Sequence, residues 1–463
     1  MILEFCFYTK AFYFGDFLEF MAKNSALEYK IIKNDGVFRL FVNAKTDELE
    51  NFIDTKIAQI PHSIFLQNTE VFKHENTKNI ENFKQNCFKN SGFKSENITP
   101  YAIKNGVNEF GIACDENFIN NAVESLNKGL VVEYKGLEIF AFRDFDCEYI
   151  VPTKVSNIAK IFVASESAVI ALSSFEKPAF RLKTNAIYRQ NHKNAPLSFN
   201  LRLPWDLNIF KICQKLENIA FLSVKTKAEI FSVNLLDNAV LINKGFDFSL
   251  QKASTQNELI KLILTEKSLE NKTSAVFNLS KNSDDFIRVF KDNAKYEMLK
   301  INMPKSYNEI YQNINQNMLN NFKAKFSLKS GEISAKNSFY ELFNIIKEIL
   351  DFSDDILELS NDFNMQKGVR IDYKIINKNE LDVFRLISSA MSFYLAGASK
   401  QNIAFGLLES LAFFIGDMCD ILRAELACEG EILSGALFST KSLAKLCVLH
   451  TKASFSEIYP LEI

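Results

Sequence analysis

The stretch LEFCFYTKAFYFGDFLEFMAKNSALEYKIIKNDGVFRLFV, residues 3–42, decides how the chain begins to fold. Leu3 to Lys10 is an apolar run of strand length, and from about Gly15 to Asn24 the apolar residues return at helical spacing. Tyr29 to Ile32 and Val37 to Val42 are strand-like and flank Asn34-Asp35-Gly36, a hairpin signal because these residues tolerate the positive φ of a tight turn. A helix from about Asp47 to Ile60 and a strand from Ser63 to Lys73 follow. The order is βαββαβ, a ferredoxin-like unit that closes its own core without a partner.

Working outward, 463 residues are too many for one ordinary core, and about three domains are expected at ~150 residues each. With 47% apolar and 24% charged residues and a net charge of -2, the chain can bury sizeable cores. It carries no field that would gather nucleic acid, so neither DNA nor RNA is expected as a partner. The eight cysteines form no CxxC pair and suggest no disulfide framework, which fits a reducing cytoplasm. The opening residues lack a basic n-region and include Glu4, Asp16 and Glu19, so a buried strand is expected there, not a signal peptide. The apolar stretch from Ile403 to Ile421 is broken by Glu409, Asp417 and Asp420. It is expected to be a core helix, with no membrane insertion.

The first domain is expected at 1–75. Residues 76–112, rich in Asn, Lys and Ser, are expected to form an irregular connection. The second domain, 113–215, is mixed α/β: a helix from about Asn117 to Lys128 leads through Gly129 to LVVEY, with further strands at IFVA, AVIAL and AFRLK. The third, 216–463, starts with strand-like AFLSVK, EIFSVNL and AVLINKGF. Helical patterns at 255–270, 283–292, 305–325, 338–351, 379–395 and 400–426 make its C-terminal half helical.

Residues that could carry chemistry are sparse. The four histidines, His62, His74, His192 and His450, show no metal-ligand spacing, so no metal site is expected. No GxxxxGK[ST], GxGxxG after a strand or GxSxG is present.

Three resemblances add to this. The run Tyr8-Thr-Lys-Ala-Phe-Tyr-Phe-Gly-Asp-Phe17 with Asn34-Asp35-Gly36 resembles the phosphate loop VQGVGFRPF and the hairpin Asn of an acylphosphatase-type domain. Asn34 is kept as a vestige of the catalytic set, but Gly15 stands where the family's Arg would clamp phosphate. Asp16 next to it would repel an anion, so no acylphosphatase activity is expected. Without the resemblance, Asn34-Asp35-Gly36 is a turn sequence.

Ala122 to Leu137, Phe175 to Lys183 and Leu201-Arg-Leu-Pro-Trp-Asp-Leu207 resemble, in order and spacing, a YrdC-like domain that activates carbamate as an adenylate. The basic block that neutralises triphosphate is missing. Lys135, Arg181 and Lys183 are the matched cations, candidates for weak ATP binding or otherwise solvated strand-end charges.

Ala275 to Phe286, Ser338 to Leu350, Val369 to Tyr373, Phe405 to Leu411 and Ile432 to Phe438 resemble a carbamoyltransferase domain of the actin-like ATPase (ASKHA) type. Lys281 replaces its His, its His-His-His-Ala-His metal motif has no counterpart, and its Asp-Gly-Thr-Gly phosphate loop is missing between about Met303 and Phe326. Ser434 and Gly435 keep part of a nucleotide-contacting turn. The bland reading is a tight turn whose Gly takes positive φ.

Taken together the chain is similar to the HypF-type carbamoyltransferases that mature nickel–iron hydrogenases, as a degenerate, HydE-like accessory homologue without zinc-finger cysteines. The resemblance implies an α+β and α/β multidomain protein of the cytoplasm. It implies a non-catalytic role in hydrogenase assembly, without cofactor, with hydrogenase subunits or other maturation proteins as partners. The rival is an active carbamoyl or adenylyl transferase using ATP and carbamoyl phosphate, with Lys135, Arg181, Lys183 and Ser434 lining a nucleotide site.

Overall fold

In β1 (Ile2–Thr9) the side chains alternate between two environments, as a strand's period of two requires. Phe5 and Phe7 enter a core with Phe38, Leu40, Val42, Leu49 and Phe52. Glu4 and Cys6 face the other way. The remaining elements of the unit are α1 (Phe14–Lys23), β2 (Glu28–Asn34), β3 (Val37–Asn43), α2 (Thr46–Thr55) and β4 (Leu66–His74). The strands form an antiparallel sheet in the order β2-β3-β1-β4, the split-βαβ arrangement, with Phe5 opposite Leu40 and Phe7 opposite Phe38. Gly36, at φ +78°, closes the β2–β3 turn, and its carbonyl accepts from Thr9 N–H at 2.8 Å.

The computed structural model describes residues 1–74 and 115–463, apart from positions 12, 24, 35, 61, 238, 250, 293 and 364–366. The expected connection 76–112 lies outside the described residues.

A second sheet follows, built from α3 (Glu116–Asn127), β5 (Val132–Tyr134), β6 (Leu137–Ala141), β7 (Tyr149–Pro152), α4 (Ile158–Ile161), β8 (Phe162–Val163), α5 (Glu166–Leu172), β9 (Phe180–Thr184), α6 (Ala186–Asn191), β10 (Ser198–Leu201), α7 (Leu207–Lys215) and β11 (Phe221–Lys225). Its order is β5-β6-β11-β7-β10-β9-β8. All its pairings are antiparallel except β7 with β10. Helices α3 and α7 cover one face through Ile119, Ala122, Leu126, Ile209 and Ile212.

Two expectations fail here. AVIAL was expected as a strand but lies in α5, because the Ser165 hydroxyl accepts Ala168 N–H at 3.2 Å and starts a helix that buries Ala168, Ala171 and Leu172. The expected boundary at 215/216 cuts this sheet, since β11 pairs with both β6 and β7 at its middle.

The later part contains β12 (Ser232–Leu236), β13 (Ala239–Lys244), α8 (Gln256–Glu266), β14 (Ser274–Asn278), β15 (Phe286–Lys291), β16 (Ala294–Glu297), α9 (Tyr307–Asn313), α10 (Gln316–Lys323), α11 (Phe339–Ile349), α12 (Ile356–Asn361), β17 (Ile375–Ile376), β18 (Glu380–Leu381), α13 (Val383–Leu395), α14 (Lys400–Leu426), β19 (Gly430–Ser434) and α15 (Lys441–His450). Four strands form a sheet in the order β16-β15-β14-β19, with β14 and β19 parallel. The helix expected over 283–292 is β15 instead. Ile287 and Val289 alternate into the core there, whereas a helix would need apolar residues three and four apart.

The helices share one large core with this sheet, in which α14 buries Leu407, Leu408, Leu411 and Ile415. Glu409 interrupts that apolar run and is itself buried, and its Oε2 accepts Gly368 N–H at 2.9 Å. Among the described residues no helix is long and apolar enough to cross a membrane.

The chain is thus a mixed α+β protein with several sheets. It divides into two compact units: Met1–Val233 with Gly245–Gln251, and Asn234–Lys244 with Lys252–Ile463.

Candidate functional site

The loop between β1 and α1 is where the acylphosphatase-type resemblance would put a phosphate. An anion cradle needs backbone N–H groups pointing inward and unused. Here Ala11 N–H is accepted by Thr9 Oγ1 at 3.1 Å, and Phe14 N–H by the Ala11 carbonyl at 3.2 Å. The Tyr13 ring is buried against Phe175 and Phe248, with ring centroids at 5.2 and 5.4 Å, and its hydroxyl donates to Glu176. Glu176 is also buried and accepts from Ser63 Oγ at 2.5 Å and Ile64 N–H at 3.1 Å. Burial, then the Glu176 carboxylate, push the Tyr13 phenol well above its usual range, so it stays a neutral donor. Gly15 is buried, and Asn34 ends β2 exposed beside the turn. The side chains of Asp16 and Asp35 lie outside the described residues.

The three cations of the second region are not brought together. Lys135 and Gly136 form the turn between β5 and β6, both at positive φ, +51° and +78°, as a two-residue hairpin requires. Lys135 Nζ lies 3.4 Å from Asp206 Oδ2 and 5.0 Å from the centroid of the Tyr134 ring. Arg181 and Lys183 occupy one face of β9, beyond β11, β7 and β10 in the sheet. At ~4.8 Å per strand the separation is on the order of 20 Å, too far for one triphosphate to be gripped by all three.

Sequence reasoning passed over Lys177, next to Glu176. It is buried at φ +45°, and its Nζ donates to the carbonyls of Ser173 and Ser174 at 2.9 and 2.8 Å, just past the end of α5. Burial pushes its amine down to about 7, against the opposing pull of the neighbouring Glu176 carboxylate. The helix end it caps is visible only once α5 is recognised.

In the second unit, Ser434 and Gly435 lie where β19 ends, beside the end of the parallel strand β14. This is the edge of an α/β sheet at which ligands usually sit. Gly435 has φ +103°, and a Cβ there would come within 2.2 Å of the Leu279 carbonyl oxygen, so no other residue fits. Gly435 N–H and Ser434 Oγ both donate to the Leu461 carbonyl, at 2.7 and 2.8 Å. Ala436 N–H donates to Glu462 Oε2 at 2.7 Å, and Ser280 Oγ to Glu462 Oε1 at 2.5 Å. Gln256 Nε2 reaches Asn278 Oδ1 at 2.7 Å and Ser434 Oγ at 3.2 Å. Lys281, in the place of the expected His, donates to Ser439 Oγ at 3.1 Å. Asp285 holds Ser280 N–H and Phe339 N–H at 2.6 and 2.7 Å, and burial pushes its carboxyl well above the carboxylate range.

The same unit presents two cavities, about 230 and 470 Å³, that share Asp372 and Arg385. Arg385 Nε lies 3.1 Å from Asp372 Oδ2. The strip Gly368–Tyr373 runs along α14, which accepts its N–H groups with side chains: Gly368 on Glu409, Val369 on Asn402 and Ile371 on Ser410, each at 2.9 Å. Gly368 and Gly406 permit this approach, since a Cβ on Gly406 would come within 2.3 Å of the Val369 carbonyl oxygen. Arg370, Lys374 and Asp417 add charge to the smaller cavity. The segment carries one of the sequence resemblances and supplies half of the smaller cavity's lining, Arg370 to Lys374; the rest comes from α13 and α14.

Among the described residues, no group of three or more His, Cys, Asp or Glu could hold a metal ion. The described cysteines are free thiols.

No family model matches the chain. One curated protein, Protein HydE of Wolinella succinogenes, is 34% identical over 100 residues, which is 21% of this chain and 18% of that protein. The match therefore spans less than a fifth of the relative. Two solved structures align over 100% of this chain and 96% of their own, each at 10% identity. They are full-length HypF in the phosphate- and nucleotide-bound form, at a TM-score of 0.57, and HypF of T. kodakarensis, at 0.59. At that identity the likeness is one of fold, and the chain shares the fold of full-length HypF.

Proposed function

We propose that this chain is an accessory protein of nickel–iron hydrogenase maturation, a non-catalytic descendant of a HypF-type carbamoyltransferase. On this reading residues 1–75 are acylphosphatase-like, 113–215 YrdC-like with β11 added to their sheet, and the second unit is a degenerate carbamoyltransferase-like domain of the actin-like ATPase type. Its partners are hydrogenase subunits or other maturation proteins, and it acts in the cytoplasm. The shared fold and the partial likeness to Protein HydE support the pathway.

One observation carries the non-catalytic role: the Ser434–Ala436 turn is hydrogen-bonded to Leu461 and Glu462 of the same chain. A nucleotide phosphate there would displace a carboxylate from its donors, with no cluster of cations among the described residues at the turn to compensate. The loop before α1 supports the same reading, because Ala11 N–H, Phe14 N–H and the Tyr13 hydroxyl are engaged with protein groups.

Purified protein is expected to hydrolyse ATP and carbamoyl phosphate no faster than buffer. In cells, deletion is expected to abolish hydrogenase activity, while Lys135→Ala and Arg181→Ala restore it as well as wild type does. Turnover that vanishes with either substitution would make the protein a transferase.

A further inference from the structure

The edge formed by the ends of β14 and β19 is built as if for an anion, and a protein carboxylate occupies it. Ser280, wholly buried, directs its hydroxyl to one oxygen of Glu462, and Ala436 N–H, immediately beyond the positive-φ Gly435, directs itself to the other. The backbone before Glu462 is seated just as firmly. Leu461 accepts from Gly435 N–H and Ser434 Oγ, and its own N–H donates to the Ile242 carbonyl at 3.0 Å. Ser280 Oγ in turn accepts Asn282 N–H at 2.9 Å and Ser283 N–H at 3.0 Å, so its proton is left for Glu462. Gln256 Oε1, next to Ser434, is enclosed with no hydrogen-bond partner among the described residues, a further sign that this crest was not shaped for strand packing alone.

We propose that the crest of β14 and β19 is a carboxylate-binding site whose resident ligand is the Glu462 side chain, delivered by the segment Tyr459–Glu462. Two donors spaced across the two oxygens suit a flat carboxylate. A phosphate would need more donors and a cation. An outside ligand for this edge would therefore carry a carboxylate, as a protein side chain or a small acid does, and would bind only after Tyr459–Glu462 lifts away. This rests on the geometry of the second unit alone and not on the role in hydrogenase maturation.

Chemical rescue tests it on the full chain. Glu462→Ala is expected to melt roughly 3–10 °C below wild type in sodium chloride, from the loss of two charge-assisted hydrogen bonds. Sodium acetate at the same ionic strength should recover at least half of that loss while leaving wild type unmoved, and should slow the amide exchange at Ala436 that the substitution speeds. Adding Ser280→Ala should remove the acetate response. The proposal is overturned if Glu462→Ala melts with wild type, if acetate does no more than chloride, or if inorganic phosphate rescues where acetate does not. Should Glu462→Ala fail to fold, Glu462→Gln keeps one acceptor and should lose less stability; a Gln variant melting with wild type would overturn the proposal equally. No enzymatic readout enters, so a negative result here leaves the hydrogenase reading untouched.

Discussion

At Glu4 a carboxylate is buried on the face of the first sheet that the helices do not cover. Arg39 Nη1 and His74 Nε2 each lie 2.6 Å from it, and Cys6 Sγ is at 3.3 Å. Burial pushes the Glu4 carboxyl up, and the hydrogen bonds from His74, Arg39 and Cys6 outweigh it, holding the carboxyl below its usual range. Cys6, buried beside that carboxylate, is pushed up to about 11 and remains a thiol. A folded-state value below the unfolded one means that the stabilisation is complete above the ordinary carboxylate range of ~4.3 and is lost as pH falls through the lowered value. Glu4→Gln is expected to cost about 2 kcal/mol at neutral pH, less than for a wholly enclosed pair because Arg39 is 39% exposed. Urea midpoints of the two proteins should converge below about pH 4. A gap of constant size down to pH 3 would show that the carboxylate charge plays no part.

Among the elements, α11 shows how a helix start is shared between neighbouring and distant residues. Ser338 Oγ accepts Glu341 N–H at 3.2 Å, a local cap readable from Ser-x-x-Glu, while Asp285, from the turn before β15, accepts Phe339 N–H. Ser338→Ala is therefore expected to cost about 1 kcal/mol. Asp285→Ala should cost more, about 2–3 kcal/mol, because it also strips the partner from Ser280 N–H and leaves two buried donors unmet. Equal shifts in denaturant midpoint would mean that the cap and the distant carboxylate are not separate contributions. The two misread elements have the same origin. AVIAL is short, uniformly apolar and ambiguous in period, and Ser165 decides it; in β15 the alternation of Ile287 and Val289 was obscured by Phe286 and Phe290 beside them.

On the scale of the whole molecule, the first unit joins its two sheets through a buried polar knot. Tyr13 and Ser63 belong to the four-stranded region, and Glu176 lies between α5 and β9 of the seven-stranded one. A carboxylate removed from water is tolerated there because three donors converge on it. Tyr13→Phe and Glu176→Gln are expected to destabilise singly and to couple by about 1–2 kcal/mol in a double-mutant cycle read by chemical denaturation. Additive losses would show that the phenol and the carboxylate act independently.

Local chemistry alone determined most elements of the four-stranded region, the hairpin turn that Gly36 closes and the long helix from Lys400 to Leu426. Each depends on residues within a few positions of one another, where period and turn preference act. Only tertiary structure decided that Lys135 stands apart from Arg181 and Lys183, that β11 completes the sheet of the first unit, and that Glu462 occupies the crest of β14 and β19. Those outcomes depend on which strands become neighbours and on which distant carboxylate reaches a pair of donors. Sheet order and hydrogen-bond closure across nearly two hundred residues leave no periodic trace in the chain.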